Sequence, residues 1–261
     1  MTLIGLMALG TARAQQPQPP AAPPPTAHPA IEPAALQIIR ATSERLAGAQ
    51  SMSFTAVATY ESAARNGQPL YYTTLSKVLA ERPDKLRVIT PGDGPASDFY
   101  YDGKTMTAYA PAANLFATAA APPTIDGMIV AAREQAAIFF PFYEVIVSDP
   151  DKHLSEGLTS AFVVGQSMVV GGTITDMVAF SNGNVEAELW IGVNDGLPRM
   201  LRVIYAKDPL KLTYEIEFSD WQINPKVTAA DFSFTPPANA ARMAFARPDA
   251  LPQTGGNRDK P

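Results

Sequence analysis

Apolar and polar positions alternate in several stretches of this chain. The clearest stretch is KLTYEIEFSDW, residues 211–221, where charged or polar residues alternate with four apolar ones: Leu212, Tyr214, Ile216 and Phe218. Residues 54–60 show the same two-residue period. Because successive side chains of a strand point to opposite faces, this pattern predicts a sheet with one apolar face and one solvated face.

Turn signals separate these stretches every 8–12 residues or so. Asn66-Gly67 and Asp102-Gly103 each predict a hairpin, and the first favours a two-residue type I′ turn, in which both residues need a positive φ. Asn182-Gly183, Asp195-Gly196 and Asp208-Pro209 mark further turns. About ten or eleven strands in hairpin order would result, which predicts an antiparallel barrel or a strongly curled sheet.

Helical spacing is confined to two regions. Pro33 favours the first turn of a helix, and apolar residues then recur at offsets of three and seven: Leu36, Ile39 and Leu46. Thr124 is a suitable N-cap for a second helix with an apolar stripe formed by Ile125, Met128 and Ile129.

An aromatic segment, IFFPFYEVIV at residues 138–147, follows this second helix. It is apolar at every position except Glu144, is too short to cross a membrane and contains Pro141 near its middle. We predict two short helices that meet at the proline and are buried all round.

The helical insert, residues 124–147, has two readings. Its apolar residues either fill the curled sheet as ordinary core or form a lid and wall over a ligand cavity. The candidate cavity residues, from the insert and the facing strands, are Met128, Ile129, Phe139, Phe140, Phe142, Tyr143, Ile146, Trp190 and Tyr214.

Both ends of the chain differ from its body. Residues 1–14, MTLIGLMALGTARA, combine a short apolar run with small residues before the expected cleavage site after Ala14, as in a secretory signal peptide. Residues 15–33 are rich in proline and predict a disordered, extended linker. Residues 246–261 predict a disordered tail, which leaves residues 34–245 as one domain. No cysteine is available for lipoprotein acylation, and no transmembrane segment is evident.

Composition and charge exclude several classes of protein. The formal net charge is −5, from 20 basic and 25 acidic residues, which argues against a nucleic-acid partner. The chain has no cysteine and two histidines, so disulfides, thiolate zinc sites and multi-histidine metal sites are not expected. No motif for a phosphate or a dinucleotide is present, so we predict no cofactor.

The residues that could support catalysis have ordinary alternatives. The carboxylate pairs Glu186/Glu188 and Glu215/Glu217 each alternate with apolar residues, which predicts that they lie on the solvated face of the sheet. Ser167 does not sit in a complete nucleophile-elbow motif, and Asp149 is better placed to cap a helix than to bind calcium. We therefore predict that the protein is not an enzyme.

Two segments resemble the lipoprotein-carrier superfamily of LolA and LolB. ELWIGVNDGLPRML at residues 188–201 and VTAADFSFTPPANA at residues 227–240 resemble a strand–turn–strand and a closing segment of LolA-like proteins. Gly192 stands where those carriers usually have an acidic residue, and no cavity arginine of LolA can be placed here.

The wider pattern resembles a family of predicted periplasmic proteins, domain of unknown function 2092, across nearly all of residues 34–245. The matching segments are SKVLAERPDKLRV (76–88), FYYDGKTMTAYAPAANLFAT (99–118), TIDG (124–127) and FSDW (218–221). The resemblance implies a β-rich α+β fold, in which a single unclosed antiparallel β-barrel wraps around a few helices.

Two functions follow from these expectations. The first is a periplasmic, non-catalytic binding or carrier protein for an acyl chain, a lipid or another apolar ligand. The second is a structural or interaction module of the cell envelope that binds a protein partner or senses stress without a small ligand. A continuous apolar void between the insert and the sheet would distinguish the first from the second.

Overall fold

The computed structural model describes residues 30–92 and 96–247. Its helices are α1 (Pro33–Ala47), α2 (Ile125–Ala136), α3 (Tyr143–Ile146) and α4 (Pro150–Ser155). Its strands are β1 (Ser51–Ala63), β2 (Pro69–Glu81), β3 (Lys85–Thr90), β4 (Ser97–Tyr101), β5 (Thr105–Ala110), β6 (Leu115–Ala120), β7 (Ser160–Ser167), β8 (Thr175–Ser181), β9 (Val185–Gly192), β10 (Pro198–Tyr205), β11 (Thr213–Ile223) and β12 (Ala241–Met243). Within this described part, none of the helices has the length and apolarity needed to cross a bilayer.

The strands form one sheet in the order β12-β6-β5-β4-β3-β2-β1-β11-β10-β9-β8-β7. Two meanders, β1 to β6 and β7 to β11, are joined by the antiparallel pairing of β1 with β11, and helices α2 to α4 connect β6 to β7. In the described residues no ladder joins the outer strands β7 and β12, so the barrel is unclosed.

A single core lies inside this sheet. Buried side chains from β1 to β5 and from β7 to β11 belong to one cluster with those of the helices, so the sheet must curl around the helices. Helix α1 packs on α4, β7 and β8. The predicted fold class, a β-rich α+β protein with an unclosed antiparallel barrel around a few helices, is confirmed.

The two-residue period of the sequence appears directly in burial. On β11, Ile216 and Phe218 are buried, while Glu217 and Ser219 between and beyond them are exposed. The sheet described has twelve strands, slightly more than the ten or eleven predicted. The additional strand is the short β12, which pairs in parallel with β6 and has no strong strand signal in its sequence.

The two predicted hairpins are present, but one turn differs from the prediction. Ala63 pairs with Pro69, so residues 64–68 form the loop, and only Gly67 has a positive φ, of 82°. The prediction of a two-residue type I′ turn was wrong because the Asn66 side chain instead accepts a hydrogen bond from Gln68 N, at 3.1 Å. At the second hairpin, Gly103 has a φ of 93° as expected.

The insert begins as predicted and then departs from the prediction. Thr124 Oγ1 accepts a hydrogen bond from Gly127 N at 3.1 Å and caps α2. Ala137, with a φ of 54°, ends this helix, and the chain stays irregular through Pro141 before the single turn of α3. The prediction of two short helices that meet at the proline was therefore wrong. The prediction that this segment is buried all round was also wrong, because Phe139 is 70% exposed.

Residues 30–33 correct one domain boundary. Ile31 bridges to Ala161 on β7, Glu32 N donates to Ala161 O at 2.7 Å, and Pro33 begins α1. The disordered linker predicted for residues 15–33 therefore does not extend over these residues. The predicted signal peptide, the rest of the linker and the tail beyond residue 247 lie outside the described residues and stay predictions.

Arg82, at the end of β2, joins the insert to the sheet and to α1. One guanidinium nitrogen donates to Ile146 O at 2.7 Å and to Val147 O, and the other approaches Val145 O and Leu46 O, both at 3.4 Å. The carbonyls of residues 145–147 lie at the end of α3, where helical partners run out, whereas Leu46 O at the end of α1 also accepts from Ala49 N at 3.2 Å. The residues that carry them are buried, so Arg82 replaces the water they would otherwise bind.

We predict that Arg82→Met lowers the free energy of unfolding by roughly 3–5 kcal/mol, because it leaves several buried carbonyls without donors. Arg65→Met, at an exposed position of the first hairpin loop, is the matched control and should change it by less than about 0.5 kcal/mol. Urea unfolding followed by circular dichroism measures both. Equal stabilities of the two variants would contradict the role given to Arg82.

Candidate functional site

A cavity of about 890 Å³ lies between one end of the curled sheet and the insert. The sheet side of its wall is formed by the end of β1, part of β2 and the adjoining ends of β8 to β11. The opposite side is formed by residues 139–141, 143 and 144 of the insert and by His153 and Leu154 of α4. Such a volume is in the range of small-molecule binding sites.

Strand alternation directs the side chains that line the cavity. Ala58 and Tyr60 of β1 lie on the inner face with the core, and Leu201 and Val203 do the same on β10. Further along these strands the helices fill the inner face as core. Beyond the reach of the helices, the same inward-facing positions border open space.

Four of the nine candidate residues come together in the cavity wall: Phe139, Phe140, Tyr143 and Tyr214. Phe139 is 70% exposed at the rim, whereas Phe140 is buried with its ring edge-to-face against Phe99, 5.0 Å between centroids. The aromatic segment therefore does provide part of a cavity wall.

Four other candidates lie in the core and do not line the cavity: Met128, Ile129, Phe142 and Ile146. Phe142 is fully buried, and its ring packs edge-to-face on Phe54 at 5.6 Å. The two readings of the insert thus apply to different residues within it, since some of its side chains are core and others are cavity wall.

Trp190 lies on the other face of the sheet. Its neighbours along β9, Leu189 and Ile191, face the core, so alternation places the indole on the outer face, where Met177 and Met200 are its cross-strand partners. It is nevertheless only 7% exposed. The prediction that Trp190 faces the cavity is therefore not met, because the indole does not line it.

Tyr214 fixes the insert over the cavity. Its hydroxyl donates a hydrogen bond to the carbonyl of Pro141. Burial raises the pKa of the Tyr214 phenol above its ordinary value. The tie joins β11 to the irregular part of the insert, at the point where Pro141 interrupts the chain.

Glu144 is the ionisable residue that sequence analysis passed over as a site. It lies in the cavity wall, and burial raises the pKa of its carboxyl to about 7, although the Tyr143 hydroxyl and the backbone act in the opposite direction. The sequence does carry a signal for this residue, because Glu144 is the one charged position in the apolar segment 138–147.

Glu61 is the other carboxylate of the wall, and its role differs. One carboxylate oxygen accepts hydrogen bonds from Thr213 N at 2.6 Å and from Thr213 Oγ1 at 2.9 Å. These bonds lower the pKa of Glu61. Glu61 therefore stays ionised while it connects the end of β1 to the start of β11.

The remaining candidates for chemistry have structural roles. Glu186 and Glu217 are exposed on the outer face, and Glu188 lies 3.7 Å from Arg202 there. Asp149 caps α4 by accepting from Lys152 N at 3.0 Å, as predicted. Ser167 Oγ accepts from Val169 N at 3.3 Å in a turn. Within the described ranges, no group of three or more acidic or histidine side chains could hold a metal ion.

Comparison with known proteins gives a family match. A family model described as predicted periplasmic protein (DUF2092) matches residues 35–246. No curated protein is significantly similar in sequence to this chain.

Several solved structures are similar at low sequence identity. LprF from Mycobacterium bovis is 17% identical with a TM-score of 0.48, over 76% of this chain and 97% of LprF. MucB is 16% identical with a TM-score of 0.44, over 78% of this chain and 64% of MucB, so the chain spans less than two thirds of that protein. The LolA superfamily protein NE2245 from Nitrosomonas europaea is 9% identical with a TM-score of 0.33, over 77% of this chain and 97% of that one.

We predict that truncation of two phenylalanines of the insert changes the free energy of unfolding by very different amounts. Phe142→Ala should lower the free energy of unfolding by about 3–5 kcal/mol, because it opens a hole in packed core. Phe139→Ala should change it by less than about 0.5 kcal/mol, because most of its ring is already in water. Chemical denaturation measures both, and similar losses for the two variants would contradict the division between core and cavity wall.

A second prediction concerns pH. Folding raises the pKa of Glu144 from 4.5 to about 7, so between these values the folded protein holds a proton that the unfolded chain has lost. Stability from this group is therefore fully present below about pH 4.5, falls as pH rises towards 7 and is lost above it. The total change is at most about 3 kcal/mol.

Unfolding at about pH 5 and about pH 8 tests this expectation. The loss of stability between the two should shrink in Glu144→Gln. It should stay as in the wild type in the matched control Glu134→Gln, whose position on α2 is exposed. A wild-type pH dependence that persists in Glu144→Gln would rule out the assignment.

Proposed function

The chain belongs to the DUF2092 family of predicted periplasmic proteins, and from this premise we propose that it is a periplasmic binding protein for an acyl chain, a lipid or another apolar ligand. The observation that carries the proposal is the cavity of about 890 Å³ between the insert and the sheet. A void of this kind between the insert and the sheet supports a ligand carrier over a purely structural module.

The character of the wall supports an apolar ligand. Aliphatic side chains such as Val185, Leu201 and Val203 line the cavity together with several aromatic rings. Transfer of a ligand's apolar surface from water to such a wall contributes about 25 cal/mol per Å². A ligand at the rim would also cover Phe139, which is 70% exposed in the free protein.

Binding without catalysis fits the polar groups of the same wall. Its hydroxyl groups belong to threonines and tyrosines, and Tyr214 already donates to Pro141 O. Glu61 is committed to Thr213.

A second candidate function is docking of an envelope protein at the β7 edge. Phe162 and Val164 on this edge strand are 45% and 48% exposed, and Met168 and Val169 in the next turn are 77% and 85% exposed. Exposed apolar side chains beside a sheet edge are a feature of interaction surfaces.

The neutral fluorescent probe N-phenyl-1-naphthylamine tests the ligand proposal. We predict that the wild-type protein binds about one probe and that decan-1-ol displaces it. Val203→Trp, which fills the cavity from β10, should weaken probe binding at least about tenfold, since the indole occupies the volume of the ligand. Val164→Trp is the matched control, because Val164 is exposed on β7 away from the cavity.

Circular dichroism is the check that both tryptophan variants fold. Equal probe binding by the two tryptophan variants, or no probe binding by the folded wild type, would contradict the ligand proposal. Probe binding lost in Val164→Trp alone would instead favour a site at the β7 edge.

A further inference from the structure

The charges that face the cavity are unbalanced. Besides Glu144, the titratable groups of its wall are the carboxylate of Glu61, the imidazole of His153 and the phenols of Tyr60, Tyr143, Tyr205 and Tyr214. No lysine or arginine occurs among the described lining residues. The wall therefore carries two acidic groups and no permanent cation.

Glu144 has no cationic partner to neutralise it. Among the described residues neither Glu144 nor Glu61 forms an ion pair, and the electrostatic influence of Arg133 is on Tyr143, whose pKa it lowers against the larger effect of burial. Glu61 is satisfied by Thr213, whereas Glu144 has only the Tyr143 hydroxyl and the backbone. An ionised carboxylate at such a position is costly unless a positive charge approaches it.

Aromatic rings surround this carboxylate. Tyr143 and Phe140 lie near it on the insert, and its negative charge contributes to the raised pKa values of Tyr205 on β10 and Tyr214 on β11. The faces of aromatic rings attract cations, and rings around a carboxylate are a known arrangement for binding ammonium groups.

We propose that the cavity selects its ligand by head group, so that it accepts apolar chains with a cationic ammonium head and disfavours anionic ones such as fatty-acid carboxylates. The inference rests on the proposed function, because it assigns a ligand class to the same cavity. Glu144 is the group that pairs with the cation, and the aromatic wall surrounds the head. A fatty-acid carboxylate in the same place would face two acidic groups and no donor of positive charge.

The preference should depend on pH. Since burial raises the pKa of Glu144 to about 7, its carboxyl is mainly ionised at about pH 8.5 and mainly protonated at about pH 5.5. An ammonium ligand should therefore bind more tightly at the higher pH. His153, on α4, is also titratable and faces the cavity, so the pH effect must be assigned with a variant of Glu144.

Displacement of N-phenyl-1-naphthylamine by three ligands with the same chain tests the inference: decyltrimethylammonium, decanoate and decan-1-ol, each below its micelle concentration. At about pH 8.5 the wild type should bind the ammonium at least about tenfold more tightly than decanoate. In Glu144→Gln this ratio of the two affinities should fall to about twofold or less. Glu134→Gln, on the exposed part of α2, should keep the full ratio.

The outcomes separate the two proposals. Equal or tighter binding of decanoate, with decan-1-ol still displacing the probe, overturns the head-group inference and leaves the apolar cavity intact. A preference for the ammonium that survives unchanged in Glu144→Gln also overturns it, because the carboxylate would then not be the recognising group. Absence of probe binding to the wild type overturns both proposals.

Discussion

The carbonyls at the end of α3 need donors, and the guanidinium of Arg82 supplies them. This places residues 145–147 against the end of β2, and Ser148 is held in turn by Asp126, which accepts from its backbone N at 3.1 Å. At the other end of the segment the Tyr214 hydroxyl holds Pro141. Because the aromatic segment is held at both ends, it does not fill the space beside it. That space is the cavity.

Between these two attachment points, neighbouring side chains of the segment point to different sides. A single helical turn sends Phe142 and Ile146 into the core and leaves Tyr143 and Glu144 facing the cavity. Core packing therefore positions the cavity wall directly. Tyr143 and Glu144 are covalently linked to the core residues beside them in the chain, and these cannot move without leaving a void in the core. The acidic side chain of Glu144 is buried enough at this wall that the pKa of its carboxyl rises to about 7.

The sequence predicted those features that depend on nearby residues. Alternation identified β1 and β11, Gly103 marked its turn, and Thr124 and Asp149 were recognised as helix caps. It could not predict the pairing of β1 with β11, because partners so distant in sequence leave no local signal. Two errors at the site follow from the same cause. The face of Trp190 depends on strand register, and the surroundings of Glu144 depend on how far the sheet curls.

The unclosed barrel has a mechanical consequence. In the described residues β7 and β12 share no ladder of backbone hydrogen bonds, so the sheet can flatten or tighten without breaking any pairing between strands. Such bending is resisted by side-chain packing, by the hydrogen bonds that Arg82 and Tyr214 make to the insert, and by the natural twist of the sheet. A closed barrel of the same strands would have a fixed radius. Here no closing ladder sets the radius, so packing against the fastened insert determines the width of the space between the insert and the sheet.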